Sequence, residues 1–378
     1  MNPTSRREFL KCSLGTTAAI TLAGTAGPVS ASQAISPAAR PARIRFAAIG
    51  LNHSHINGQV ETVIRGGGQL VSFFAKETDL GGAFAKRFPD AKQARSEREI
   101  LEDPAIQLVV SAAVPNERAP LGVVVMEHGK DFMVDKPAAT TLEQLADVRR
   151  VQARTKRIFS VLIERHESKS INKAGALISA GAIGRVIQTV GLAPHRMSPE
   201  SRAPWFFERE RYGGILCDLA SHNLDTFLFV TGSTHADIVA SQVGNMQHPQ
   251  YPGLEDFGDV MLSGDGGTGY IRVDWFTPAG LSTYGDSRLT ILGTEGYIEL
   301  RKNVDIAGRP GANHLFLVDQ KGPQYIDCGD VPLPYAQRLV DDILNRTSTS
   351  DSQARTFLGM ELGLEAEKRA RRVPPLAR

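Results

Sequence analysis

The feature that most constrains this chain is an alternation, from Arg43 to about Phe159, of short apolar runs with helical patterns. The runs are Ile44-Arg45-Phe46-Ala47-Ala48-Ile49, Leu70-Val71-Ser72-Phe73-Phe74, Leu108 to Ala113, and Asp131-Phe132-Met133-Val134. Between them lie helical stretches such as Pro120 to His128, which Gly129 terminates. Strand and crossover in strict alternation build a parallel sheet, and ligands of such a sheet sit at the carboxyl ends of its strands. The expected fold class is α/β, with a Rossmann-type dinucleotide-binding domain over residues 43–159.

Each strand end supplies candidates. The first closes on Gly50-Leu51-Asn52-His53-Ser54-His55. A G-x-G-x-x-G loop lets a pyrophosphate approach the backbone at a helix N-terminus, and only its first glycine stands here. Asn52 tolerates a left-handed backbone at the second glycine position. His53, Ser54 and His55, or their amides, are candidate phosphate donors. The second strand runs into Ala75-Lys76-Glu77. Ala75 takes the place of the usual ribose-binding acid, so Lys76 is a candidate for a 2′-phosphate and the choice of NAD or NADP stays open. Pro115-Asn116 follows the third strand and Asp135-Lys136-Pro137 the fourth.

Residues 160–345 read as a second α/β domain with an open, mostly antiparallel sheet. Gly269-Tyr270-Ile271-Arg272-Val273-Asp274-Trp275 alternates as a half-buried strand should, and Leu289–Gly293 and Gly296–Leu300 form a hairpin. Residues 346–378 read as a helical segment packing back on the first domain. Inside the second domain, Gly213-Gly214 opens a helix that continues to Val230 and stops at Thr231-Gly232. Positions three, four and seven apart share a helix face, so Asp218, His222 and Asp225 are expected to point the same way. A carboxylate and an imidazole one turn apart suit proton handling, although a core-facing helix with structural polar residues fits the same pattern.

The N-terminus reads as a targeting segment. Ser5-Arg6-Arg7-Glu8-Phe9-Leu10-Lys11 has the adjacent arginines of twin-arginine export, and an apolar run from Leu14 to Val29 ends at Val29-Ser30-Ala31. Residues 1–31 are therefore expected to be a signal peptide and 32–42 a linker, with the mature protein periplasmic or otherwise extracytoplasmic. The run is too interrupted by Gly and Thr to span a membrane, so no membrane partner is expected after cleavage. Lys plus Arg number 43 against 41 Asp plus Glu, which gives no basic surplus for nucleic acid. Three cysteines are too few for a disulfide framework.

Several of these stretches together resemble the Gfo/Idh/MocA oxidoreductases, over roughly residues 43 to 345. The family's Glu-Lys-Pro appears as Asp135-Lys136-Pro137, its Pro-Asn loop as Pro115-Asn116, and its Gly-Gly-x-x-x-Asp-x-x-x-His-x-x-Asp helix matches Gly213 to Asp225 at every marked position. The resemblance implies an NAD(P) cofactor, tightly bound in an exported member, and Lys136 and His222 as acid/base groups with Asp218 orienting substrate or imidazole. Asp135 would hold Lys136 or a ribose hydroxyl. Oxidising a secondary alcohol needs a base for the hydroxyl proton, and a lysine serves when its surroundings lower its pKa. The substrate is expected to be a sugar, glycoside or cyclitol, met by Arg165, His195, Arg196, Trp205 and Tyr212 as well as Asp218 and His222. An open sheet in this family packs on a second copy, which implies a homodimer or homotetramer.

Two other outcomes are open on the same scaffold. One resembles glycoside hydrolase family 109, in which transient oxidation, elimination and re-reduction give no net redox change. The other is a non-catalytic carbohydrate-binding protein, which the missing glycines favour and the retained Lys136, Asp218 and His222 oppose. No metal site is expected, because Asp218, His222, His195 and His166 lack short ligand spacing.

Overall fold

The computed structural model describes residues 42–375; the signal segment and almost all of the linker expected before them lie outside the described residues. Two sheets organise the chain. The first has six parallel strands in the order β3-β2-β1-β4-β5-β6, with β1 Ile44–Ile49, β2 Gly68–Phe74, β3 Lys92–Gln93, β4 Leu108–Ser111, β5 Asp131–Asp135 and β6 Phe159–Leu162. Strands β4 and β5 are buried at every residue, as a sheet covered on both faces requires. The order reverses between β1 and β4, and the loop after β1 and the Pro115–Glu127 helix after β4 meet at that switch point.

The domain edge expected at residue 159 falls inside this sheet, because β6 pairs in parallel with β5 from Phe132↔Phe159 to Asp135↔Leu162. The helix Tyr335–Asn345 also departs from the expected division. Its Tyr335, Leu339, Val340 and Ile343 join the core under β1, β2 and β4, with Val60 and Val63 of the helix His55–Arg65.

The second sheet has nine strands in the order β14-β13-β12-β11-β7-β10-β9-β8-β15. They are β7 Val186–Pro194, β8 Ala236–Gly244, β9 Phe257–Gly264, β10 Gly267–Asp274, β11 Arg288–Gly293, β12 Tyr297–Arg301, β13 His314–Asp319, β14 Gly322–Ile326 and β15 Arg371–Arg372. All its pairings are antiparallel except β7 with β10 and β8 with β15. The fold is thus α/β, a Rossmann-like parallel sheet followed by a mostly antiparallel mixed one. One face of the second sheet is apolar and covered; Leu289, Ile291, Ile298, Leu300, Leu315 and Leu317 alternate onto it.

The final helix, Gln353–Arg369, touches both halves. Phe357 and Leu364 join the core of the first sheet, while Leu362 and Ala366 join that of the second. The helix carries Glu367 to the point where the second half turns toward the first. There Gly213 (φ +89°) and Gly214 (φ +98°) occupy left-handed backbone, and a Cβ on Gly214 would stand 2.3 Å from the Glu367 carboxyl carbon. Beyond the glycines the chain does not enter an α-helix directly. Leu216–Ala220 forms a π-helical turn, and the α-helix runs from Ser221 to Thr231, closed by Gly232 in the left-handed region. The amides of Ile215 and Leu216 donate to Glu255 and Glu367, each at 3.0 Å. Two carboxylates from distant parts of the chain thus satisfy donors that every helix start leaves open.

Gly214→Ala tests this turn. Left-handed strain alone gives a loss of about 1–3 kcal/mol, and the contact with Glu367 adds to it. Urea unfolding monitored by circular dichroism is the measurement, and an unchanged midpoint would contradict the close approach.

Candidate active site

The centre of the site is an ion pair between the two halves. Lys136 stands where β5 ends, and its Nζ donates to Asp218 Oδ1 at 2.7 Å from the π-turn. Side-chain exposure is 7% for Lys136 and 12% for Asp218, so the contact is made out of water. Burial alone would raise the Asp218 pKa, but the Lys136 ammonium and its hydrogen bond outweigh it and hold the carboxyl below the usual range.

Arg118 fixes the strand end that carries Lys136. It is fully buried and donates to the carbonyls of Ala113 (2.7 Å), Lys136 and Pro137 (3.3 Å), and to Asp135 Oδ2 at 3.0 Å. Asp135 therefore holds Arg118, and also His55 Nδ1 at 2.9 Å, rather than Lys136. Burial would raise its pKa too; Arg118 and His55 keep it well below the carboxylate norm.

His222, one turn after Asp218, accepts a hydrogen bond from the Glu164 amide at Nδ1, 3.1 Å. An amide can only donate, so the proton of neutral His222 sits on Nε2, which is a donor. His195 is the reverse. Its Nδ1 lies 3.1 Å from the Ala193 carbonyl and must donate there, which leaves Nε2 as an acceptor. Burial first, and the Lys136 charge second, depress both imidazoles: His222 falls well below its ordinary value and His195 to about 4. His53 falls to about 3, through burial and the neighbouring His55. Its Nδ1 accepts from the His55 amide at 3.2 Å.

Four of the dinucleotide candidates, Gly50, Asn52, Lys76 and Asn116, line a cleft of about 340 Å³ at the carboxyl ends of β1, β2 and β4, together with Glu77 and Glu117; His53, Ser54, His55, Pro115, Asp135 and Lys136 are not among its lining residues. Gly50 has φ +75° there, and a Cβ on it would lie 2.6 Å from that of Ala113. The missing second glycine is replaced by a side-chain contact, Asn52 Nδ2 donating to Glu77 Oε1 at 2.8 Å. Asn116 keeps a buried side-chain oxygen without a partner among the described residues, and its own carbonyl accepts from Gln144. Pro115 opens the helix at that point. An orphaned acceptor, a glycine floor and a helix N-terminus fit a dinucleotide. Ser54 precedes the helix His55–Arg65 without capping it. Lys76 is exposed, 3.9 Å from Glu117.

Several substrate candidates are used elsewhere. Arg165 pairs with Asp225 and with Asp351 at 2.8 Å, and lies 4.9 Å over Phe229. Asp225 is therefore turned to Arg165 and does not join Asp218 and His222. Arg196 ties a loop through the carbonyls of Pro278, Leu281 and Thr283. Tyr212 is 2% exposed, and its hydroxyl accepts from the Glu255 amide at 3.0 Å, so it belongs to the core. Trp205 is buried, yet its ring centroid is 6.4 Å from that of His53, which keeps it at the edge of the site. His195 has aromatic walls in Trp275 and Tyr284, at 5.6 and 5.4 Å.

Sequence reasoning did not single out Glu77, Glu164 or Arg202. Arg202 lies 4.8 Å over Trp275 and 4.3 Å over Phe206. Glu77, two residues beyond the missing acid, had a readable signal; the backbone role of Glu164 had none.

Because the depressed imidazoles are neutral when folded, the unfolded chain binds more protons below pH 6.5, and stability must fall with pH from there toward about 4. Asp135 and Asp218, held below their ordinary 3.8, lose their contribution only at still lower pH. Urea midpoints at pH 7.5, 6 and 5 should therefore decline stepwise, and a flat profile across that window would refute neutral burial.

Comparison with known proteins agrees with this geometry. Residues 44–163 match the oxidoreductase family with an NAD-binding Rossmann fold, and residues 171–299 the GFO/IDH/MocA C-terminal domain. The crystal structure of a putative oxidoreductase from Erwinia carotovora atroseptica is 44% identical, with a TM-score of 0.85, over 87% of this chain and 99% of that one. The 1,5-anhydro-D-fructose reductase of Ensifer adhaerens is 26% identical over 61% of this chain and 67% of its own. The NAD⁺-dependent scyllo-inositol 2-dehydrogenase of Bacillus subtilis is 26% identical over 71% and 79%. Sequence, fold and site together place the chain in the Gfo/Idh/MocA family of NAD(P)-dependent oxidoreductases acting on CH–OH groups.

Proposed function

We propose that the protein oxidises a secondary hydroxyl of a sugar or cyclitol, or reduces the corresponding ketone, with Lys136 moving the hydroxyl proton. The observation that carries this reading is the Lys136–Asp218 contact at the end of β5, where Arg118 ties the Lys136 carbonyl to that of Ala113 in the wall of the dinucleotide cleft. The named activities of the reductase and inositol dehydrogenase relatives support the substrate class.

When bound, the dinucleotide takes hydride from the hydroxyl carbon or returns it. The rest is done by the chain. In the reducing direction the Lys136 ammonium donates its proton to the carbonyl oxygen; in the oxidising direction the amine takes it from the hydroxyl, and Asp218 balances the charge. His222 Nε2–H is a donor to the reacting or a neighbouring oxygen, and His195 Nε2 accepts from a hydroxyl. Neutral imidazoles of opposite tautomer suit a polyol, whose every oxygen both donates and accepts.

The same proposal includes export by the twin-arginine pathway, supported by Ser5 to Lys11, and with it a tightly held cofactor recycled in place. It also includes a homo-oligomer. Met261, Leu292, Tyr297 and Tyr325 are each 40–48% exposed and by register share the open face of the second sheet.

Natively purified protein, denatured and analysed for released dinucleotide, should yield NAD(H) or NADP(H) near one per chain. Lys136→Ala should then lower kcat by about 10²–10⁴ on the sugar or cyclitol that the native enzyme turns over. The substitution leaves Asp218 buried and unpaired, a loss of about 3–5 kcal/mol, so Lys136→Met with Asp218→Asn serves as the folded control for dinucleotide content. Unchanged turnover in Lys136→Ala would sink the mechanism. Absence of dinucleotide, with no uptake when it is added, would remove the function.

A further inference from the structure

The loop after β1 carries a His-x-His pair, expected from the sequence to meet phosphate, whose two rings turn to Asp135. His55 Nδ1 lies 2.9 Å from Asp135 Oδ1, and His53 Nδ1 lies 3.6 Å from Asp135 Oδ2. The two rings meet edge to face with centroids 4.0 Å apart, and one ligand atom from each of the three residues falls within 4.8 Å of the others. We propose that His53, His55 and Asp135 form a binding site for one divalent first-row transition-metal ion.

The two histidine–carboxylate spacings, 2.9 and 3.6 Å, are those of neighbouring ligands in a coordination shell. Ligands about 2.0–2.2 Å from a metal, at tetrahedral to octahedral angles, stand roughly 2.8–3.6 Å from one another. Two imidazoles and one carboxylate are a borderline donor set, suited to zinc, iron or cobalt rather than to calcium or magnesium. The carboxylate is already oriented from behind. Arg118 grips Asp135 Oδ2 at 3.0 Å and is itself pinned by three backbone carbonyls, while Oδ1 keeps a lone pair for a metal.

Access is present on one side. Side-chain exposure rises from 4% at Asp135 to 21% at His53 and 48% at His55, so the shell closes toward the protein and opens toward solvent. One carboxylate shared with Arg118, beside a Lys136 already neutralised by Asp218, leaves a dication short of negative charge. Its open positions would take water or an anionic oxygen. Binding shifts the His55 proton from Nδ1 to Nε2 and exchanges the hydrogen bonds at His55 Nδ1 and His53 Nδ1 for two metal–nitrogen bonds.

The test uses metal alone, so it stands apart from the dinucleotide reading. The full-length native protein, stripped with EDTA and dialysed, is titrated calorimetrically with Zn²⁺ and followed in parallel by the visible absorption of Co²⁺. One Zn²⁺ per chain should bind with a Kd of micromolar or below, and Co²⁺ should give ligand-field bands of a nitrogen–oxygen site. His55→Ala and His53→Ala, each checked for native circular dichroism, should weaken binding at least tenfold. His235→Ala, which removes an imidazole exposed far from the site, should not. Zn²⁺ binding that is absent, or that is the same in His55→Ala and His53→Ala as in the native chain, overturns the site.

Discussion

The Lys136–Asp218 ion pair is the contact on which the rest of this structure depends. It joins the first residue beyond a parallel strand in one half to a π-turn in the other. A pair so buried is a poor source of stability, since desolvation of both ions offsets most of their attraction. Its presence is better understood through what it fixes. Arg118 is buried to clamp the backbone at Lys136, and two left-handed glycines are placed to swing Asp218 inward.

The charge at Lys136 also sets the state of its neighbours. Burial alone disfavours an imidazolium, and an ammonium nearby disfavours it further. His222 and His195 are neutral for both reasons, and the backbone then selects opposite tautomers by presenting an amide to one and a carbonyl to the other. Two histidines of identical chemistry thereby become a fixed donor and a fixed acceptor. An amine that gains and loses a proton between such partners changes charge without altering their hydrogen-bond directions.

Much of this arrangement was legible in the chain. Short, mostly apolar runs gave away β1, β2, β4 and β5, and β4 and β5, covered on both faces, are buried at every residue. The Gly-Gly helix and the Asp-Lys-Pro turn were readable as motifs. What escaped was set by tertiary contact. Arg165, Arg196 and Tyr212 follow strands or precede the glycines as substrate residues would, yet they are drawn to Asp225 and Asp351, to loop carbonyls and to Glu255. Nothing local distinguishes an arginine bound to protein carbonyls from one waiting for a hydroxyl. The grouping of Asp218, His222 and Asp225 failed for a geometric reason. The segment opens as a π-turn, so the α-helical face was drawn from a spacing that the backbone does not hold there.

That π-turn has a support whose proton balance runs opposite to that of the histidines. Glu255 and Glu367 accept from the amides at its start, with Arg209 between them at 3.2 and 2.9 Å. Negative charge suits a helix start, but two carboxylates in one buried place repel. Burial and Glu255 push Glu367 up to about 8. A carboxyl that binds its proton more tightly when folded adds stability below its ordinary 4.5, and that stability is lost as pH rises through 8. The imidazoles impose the reverse limit between 6.5 and about 4. The segment holding Asp218 thus meets an acid limit from one set of groups and an alkaline limit from another. Between pH 4.5 and 6.5 the two trends oppose each other, the imidazoles losing stability as pH falls and Glu367 gaining it.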